Sequence, residues 1–99
     1  MIRHTVLCRF RKDADIAGVE AAIKGLQAKI PGILAVTFGA NNSPEGLAKG
    51  FTHGFSVDFT DAAARDAYLP HPDHQVAGKA VVAALDGGLE GLAVLDWEV

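Results

Sequence analysis

Ile2-Arg3-His4-Thr5-Val6-Leu7-Cys8-Arg9-Phe10, preceded by Met1, alternates between two sets of side chains. Ile2, His4, Val6, Cys8 and Phe10 share one face, and Arg3, Thr5, Leu7 and Arg9 share the other. Successive side chains of an extended chain point to opposite sides, so this period of two predicts a strand over Met1–Phe10. The first face is built for a core. The second is mixed, with Leu7 among polar neighbours.

The period changes immediately downstream. Ile16, Val19, Ile23, Leu26 and Ile30 recur at spacings of three and four, which predicts one helix ended by Pro31-Gly32. Ile33 to Phe38 is a second strand. Gly39 to Gly50 is rich in glycine, asparagine, serine and proline, the composition of a long loop. Phe51 to Phe59 alternates again, with His53, Phe55, Val57 and Phe59 together on one face. Thr60-Asp61 supplies an N-cap for a short helix that stops near Leu69, before Pro70. A further helix opens at His71-Pro72, with proline in the tolerated first position, and stops at Gly87-Gly88. Leu92 to Trp97 is the last strand.

The order is strand, helix, strand, strand, split helix, strand. It predicts an α+β, ferredoxin-like fold, βαββ(α)αβ, with helices over one face of a four-stranded antiparallel sheet in one domain, 1–99. The last strand is apolar on both faces, because Leu92 and Val94 alternate with Ala93, Leu95 and Trp97. A strand of that kind is covered on both sides. The helices supply one cover, and a second copy of the chain supplies the other, so a homodimer through the sheet faces is expected.

Composition narrows the function. A net charge of -3 gives no basic footprint, which argues against nucleic acid as a partner. The longest apolar run, Ala80 to Leu85, is far below the roughly 20 residues of a membrane span. Cys8 is the only cysteine, so no internal disulfide forms, and a buried inert thiol in the cytoplasm is the expectation. Gly87-Gly88 with Gly91 is a turn and not a phosphate loop, because no helix follows it. His71 and His74 flank Asp73 without a metal-binding pattern. No cofactor and no metal are expected.

The chain resembles the stress-responsive A/B barrel domain family (Dabb, the dimeric α+β barrel group) along essentially its full length. The resemblance is carried by His4-Thr5-Val6, by Gly39, Asn41 and Ser43, and by Gly50-Phe51-Thr52-His53. Phe59, Tyr68, His71-Pro72-Asp73-His74 and Asp96 complete it. It implies a dimeric α/β barrel closed by two sheets. For most of the family it implies no assigned reaction. In a plant branch similar to olivetolic acid cyclase it implies a cofactor-free aldol cyclisation, with Tyr68 and His74 at the catalytic positions and His4 and His53 lining the pocket.

The residues themselves suggest related chemistry. His4 and His53 lie on the inward faces of their strands, and Tyr68 and His74 flank the break between the last two helices, so the four are expected to converge. In the first turn of a helix the dipole disfavours imidazolium, which suits His74 to act as a general base. Tyr68 suits a carbonyl that develops enolate charge. His71 either joins this pocket or caps the helix backbone. Two functions follow: a small homodimeric protein with a stress or small-molecule-binding role and no assigned reaction, or a cofactor-independent cyclase, lyase or oxygenase acting on a carbonyl-containing substrate. The first helix carries small or aliphatic residues toward the pocket, with Gln27 as the only polar group near it, so a second pocket tyrosine is not expected.

Overall fold

In the computed structural model, which describes Met1–Val99, the chain runs β1 (Ile2–Cys8), α1 (Ile16–Lys24), α2 (Leu26–Lys29), β2 (Ile33–Ala40), β3 (His53–Phe59), α3 (Ala62–Tyr68) and α4 (Pro72–Ala84). A 3-10 turn (Gly88–Gly91) then leads into β4 (Leu92–Glu98). The sheet order is β2-β3-β1-β4 and every pairing is antiparallel. This is the ferredoxin-like arrangement expected from the element order. No helix is long and apolar enough to cross a membrane.

Several boundaries differ from the expected ones, each for a local reason. Strand β1 stops at Cys8 because Thr52 occupies the next ladder position. Its N–H donates to the Cys8 carbonyl at 2.8 Å, and its hydroxyl accepts from the Phe10 N–H at 3.1 Å. The single expected helix over 16–30 is interrupted at Gly25, where no side chain holds the turn, and α2 is a separate four-residue segment. Gly32 then turns the chain at φ 89°, and a Cβ there would lie 2.7 Å from that of Ala64. Only glycine fits both the left-handed backbone and the close passage under α3. In β2, Leu34 is an extra residue between Ile33 and Ala35, which pair with Phe59 and Asp58. This bulge leaves Leu34 half exposed.

The core lies between the helices and the inward faces of β1 and β3. Val6, Cys8, Val57 and Phe59 meet Val19, Ile23, Leu26, Tyr68 and Val81 there. Burial pushes the Cys8 thiol up to about 11, so it stays protonated and unreactive at neutral pH. Helix α4 begins as its sequence dictates. His71 is the N-cap, its Nδ1 accepts the Asp73 N–H at 3.1 Å, and Pro72 opens the helix. Gly78 sits in the middle of that helix and costs it about 0.5–1 kcal/mol relative to alanine. A Cβ at Gly78 would meet no atom within 4 Å.

The opposite sheet face has no helix over it. Its centre is polar but internally satisfied. Arg3 grips Asp58 through Nε–Oδ1 at 2.9 Å and Nη2–Oδ2 at 3.1 Å, and the Thr37 and Ser56 hydroxyls are 2.7 Å apart. Beside them on β4, Leu95 and Trp97 are about half exposed, at 59% and 47%.

Candidate functional site: an apolar cavity ending at two histidines and a tyrosine

A cavity of about 600 Å³ opens between α4 and the β1–β4 half of the sheet. Apolar side chains dominate its wall, among them Val6, Val81, Val82 and Val94, and His4, Tyr68 and His74 form its polar end. Such an apolar pocket with a few convergent polar groups has the composition of a small-molecule site.

Tyr68 is the last residue of α3 and is 1% exposed. Its ring stands edge-on to Phe59 at 4.9 Å and to His4 at 5.9 Å, and lies 4.2 Å from the His74 ring. Burial alone pushes the phenol up to about 12. At neutral pH it is therefore a neutral donor with a proton to offer.

His74 stands in the first turn of α4, and its Nδ1 lies 2.8 Å from the Leu69 carbonyl. A carbonyl oxygen only accepts, so Nδ1 carries the proton. In the neutral ring Nε2 is then the free acceptor. The Gln75 side chain donates to the same carbonyl at 3.0 Å, which holds Leu69 in place beneath the imidazole. This orientation follows from local sequence: Pro70 ends α3, Pro72 starts α4, and the short link between them presents its carbonyl to the next helix.

His4 is held from the other side. Register places it opposite Asp96, and its Nδ1 donates to Asp96 Oδ1 at 2.7 Å. Arg65 Nη1 of α3 donates to Asp96 Oδ2 at 2.9 Å. Partial burial pushes the Asp96 carboxyl up, but hydrogen bonds from Arg65 and His4 outweigh it and hold the group below its ordinary 3.8. Asp96 is thus a carboxylate that fixes the His4 tautomer and leaves Nε2 as acceptor.

This shift has a testable sign. A folded-state value below the unfolded one adds stability above the unfolded value and loses it as pH falls through the folded one. Asp96→Asn is expected to lower the urea midpoint at pH 7, and the gap to the parent chain is expected to close as pH drops below 3.8. A gap that persists unchanged at pH 2 would show that the ion pair is not its source.

The expected convergence of four residues is corrected to three. His53 is on the same sheet face as His4, but it lies four residues along β3 from Val57, the partner of His4. That is about 13 Å of strand. Its ring instead packs on Phe10 at 5.2 Å and Phe38 at 6.0 Å, and borders a separate cavity of about 440 Å³ with Leu47 and Phe51 of the 41–52 connection. His71 does not line the main cavity either, because its ring nitrogen is spent on capping α4. From the first helix only Ile23 reaches the cavity, while Gln27 donates to the Leu34 carbonyl. Arg65 escaped the sequence reading. No local pattern marks it, and its role depends on which strand α3 crosses. No group of three or more His, Cys, Asp or Glu side chains gathers as a metal site would need.

Comparison with known proteins agrees with the architecture. The sequence profile described as "Stress responsive A/B Barrel Domain" matches residues 2–99. The stress-response A/B barrel domain-containing protein At5g22580 of Arabidopsis thaliana is 27% identical over 85 residues, which cover 85% of this chain and 77% of that protein. A dimeric ferredoxin-like protein of unknown function from Jannaschia sp. CCS1 superposes with a TM-score of 0.89 at 34% identity, over 99% of this chain and 98% of that one. At3g17210 from Arabidopsis thaliana superposes with a TM-score of 0.85 at 27% identity, over 100% and 95%. With its strand order, its inward histidine on β1 and this full-length match, the chain belongs to the stress-responsive A/B barrel domain family.

Proposed function

We propose that the chain works as a homodimer joined through its open sheet faces, and that each cavity binds a small, largely apolar carbonyl compound and moves a proton on it. The dimer reading is supported by the internally satisfied polar centre of that face and by the dimeric Jannaschia relative. The chemical reading is carried by one observation. His74, with its free acceptor nitrogen set by Leu69, stands 4.2 Å ring to ring from a protonated phenol at the end of an apolar cavity.

With the carbonyl oxygen at the Tyr68 hydroxyl, His74 Nε2 takes the proton from the adjacent carbon. The C–H electron pair becomes the enolate C=C bond, and the charge developing on oxygen meets the phenol proton. Tyr68 is buried, and there its hydrogen bond to the developing charge is stronger than it would be in bulk water. The enolate then takes its proton back from His74 or attacks a second carbonyl of the same molecule. No cofactor is needed for either outcome.

The experiment is deuterium uptake at the α-carbons of 2-octanone in D2O. The parent chain is expected to accelerate uptake, His74→Gln to lose about 10²-fold or more of that acceleration, and His53→Gln to leave it unchanged. A second reading, binding without turnover, is favoured by the apolar wall alone. It is identified by 2-octanone shifting the Tyr68 and His74 resonances with no gain in exchange.

A further inference from the structure

We infer that the cavity takes an elongated monoanion, with its apolar chain lying along α4 past Gly78 and its charged end at Lys79. This deepens the ligand-binding reading of the cavity and rests on it.

Two observations carry the inference. The first is the order of groups along α4. His74, Gln75, Gly78, Lys79 and Val82 all border the cavity, at spacings that keep them on one helix face. From His74 to Lys79, the two ends between which the ligand would run, this face rises about 7.5 Å, a length that suits an alkyl chain. Lys79 is exposed at the rim and is the one lining side chain with a fixed charge at neutral pH. It joins none of the ion pairs in the chain. An unpartnered cation at the mouth of an apolar channel complements a ligand with a carboxylate or similar head.

The second observation is Gly78. Its backbone is ordinary helix, and a side chain there would meet nothing within 4 Å. Neither strain nor a close neighbour in the chain requires glycine, although glycine weakens the helix. What it does provide is a groove in the cavity wall between the polar end and Lys79. An alkyl chain running from one to the other fills that groove.

The test uses octanoate and octan-1-ol, which share a chain and differ in charge, titrated into the full chain and followed by NMR at cavity residues. Octanoate is expected to bind about five- to tenfold more tightly. Lys79→Gln should erase the preference, and Lys79→Glu should reverse it. Gly78→Ala is expected to raise the Tm by about 2–6 °C while weakening both probes, and Gly78→Leu to exclude them. A glycine with only a structural role would not let stability rise while binding falls. Equal affinity for the two probes, a preference that survives Lys79→Gln, or unchanged binding in Gly78→Leu would each overturn the inference and leave the cavity reading standing. Failure of both probes while 2-octanone still binds also overturns it alone. Failure of all three overturns both.

Discussion

A chain carrying Leu95→Lys and Trp97→Lys is expected to sediment as a folded monomer at concentrations where the parent is a dimer. Both side chains are about half exposed in the single chain, so their replacement removes little from its core. In register they stand opposite Thr5 and Arg3 on the face that no helix covers. Burying their exposed parts against a second copy contributes roughly 2–4 kcal/mol per protomer. A two-fold axis doubles every change, so the variant loses that burial twice and sets four new lysines on the joining surface. The dissociation constant is expected to rise at least about a hundredfold. Circular dichroism matching the parent shows that the fold is retained. If the parent itself sediments as a monomer at micromolar concentration, the sheet-face dimer is wrong, whatever the variant does.

The polar pair at the centre of the same face behaves differently. Arg3 and Asp58 already neutralise and hydrogen-bond each other within one sheet. Covering them therefore strands no charge, and they set no sign preference for a partner surface. In the proposed dimer the attraction comes from Leu95 and Trp97, so charge introduced there opposes association more than a change at the ion pair does.

What could be read in the sequence was whatever depends on near neighbours. The alternation of Ile2 through Cys8 showed which side of β1 is buried, and Ile2, His4, Val6 and Cys8 are buried as expected. Proline at position 72 marked the start of α4, and Asp61 does cap α3. What could not be read is distance along a shared face and pairing between remote strands. His4 and His53 look equivalent by alternation, but the face they share is long enough to serve two separate cavities. His4 and Asp96 are far apart in sequence and meet only because β4 pairs with β1 in one particular register. A slip of one residue would put Asp96 on the other face. The cavity itself depends on how far α4 stands from the sheet. Small residues on that helix, such as Ala77 and Gly78, carry no periodic signal that would show it.

Phe59→Ala is expected to be the most damaging single substitution for stability. Phe59 has no exposed surface and closes the end of β3, where it pairs with Ile2 on one side and Ile33 on the other. Truncation of a buried phenylalanine costs about 3–5 kcal/mol, against a total of about 5–15 kcal/mol for an ordinary domain. The Tm is expected to fall by roughly 15–30 °C. Phe38→Ala is the comparison. Phe38 also stacks on aromatic neighbours, at 6.1 Å from Phe55 and 6.4 Å from Phe10, but it is only partly buried and should lose much less. Phe59 also supports the site, since Tyr68 stands edge-on to it and His4 lies 6.3 Å away. Water entering the space left by the ring would relieve the burial that holds the Tyr68 phenol at about 12. Its titration should therefore move down toward an ordinary tyrosine in Phe59→Ala and stay in place in Phe38→Ala. Equal Tm losses in the two variants, or a Tyr68 titration indifferent to both, would show that the aromatic floor beneath the cavity does not govern the polarity of its tyrosine.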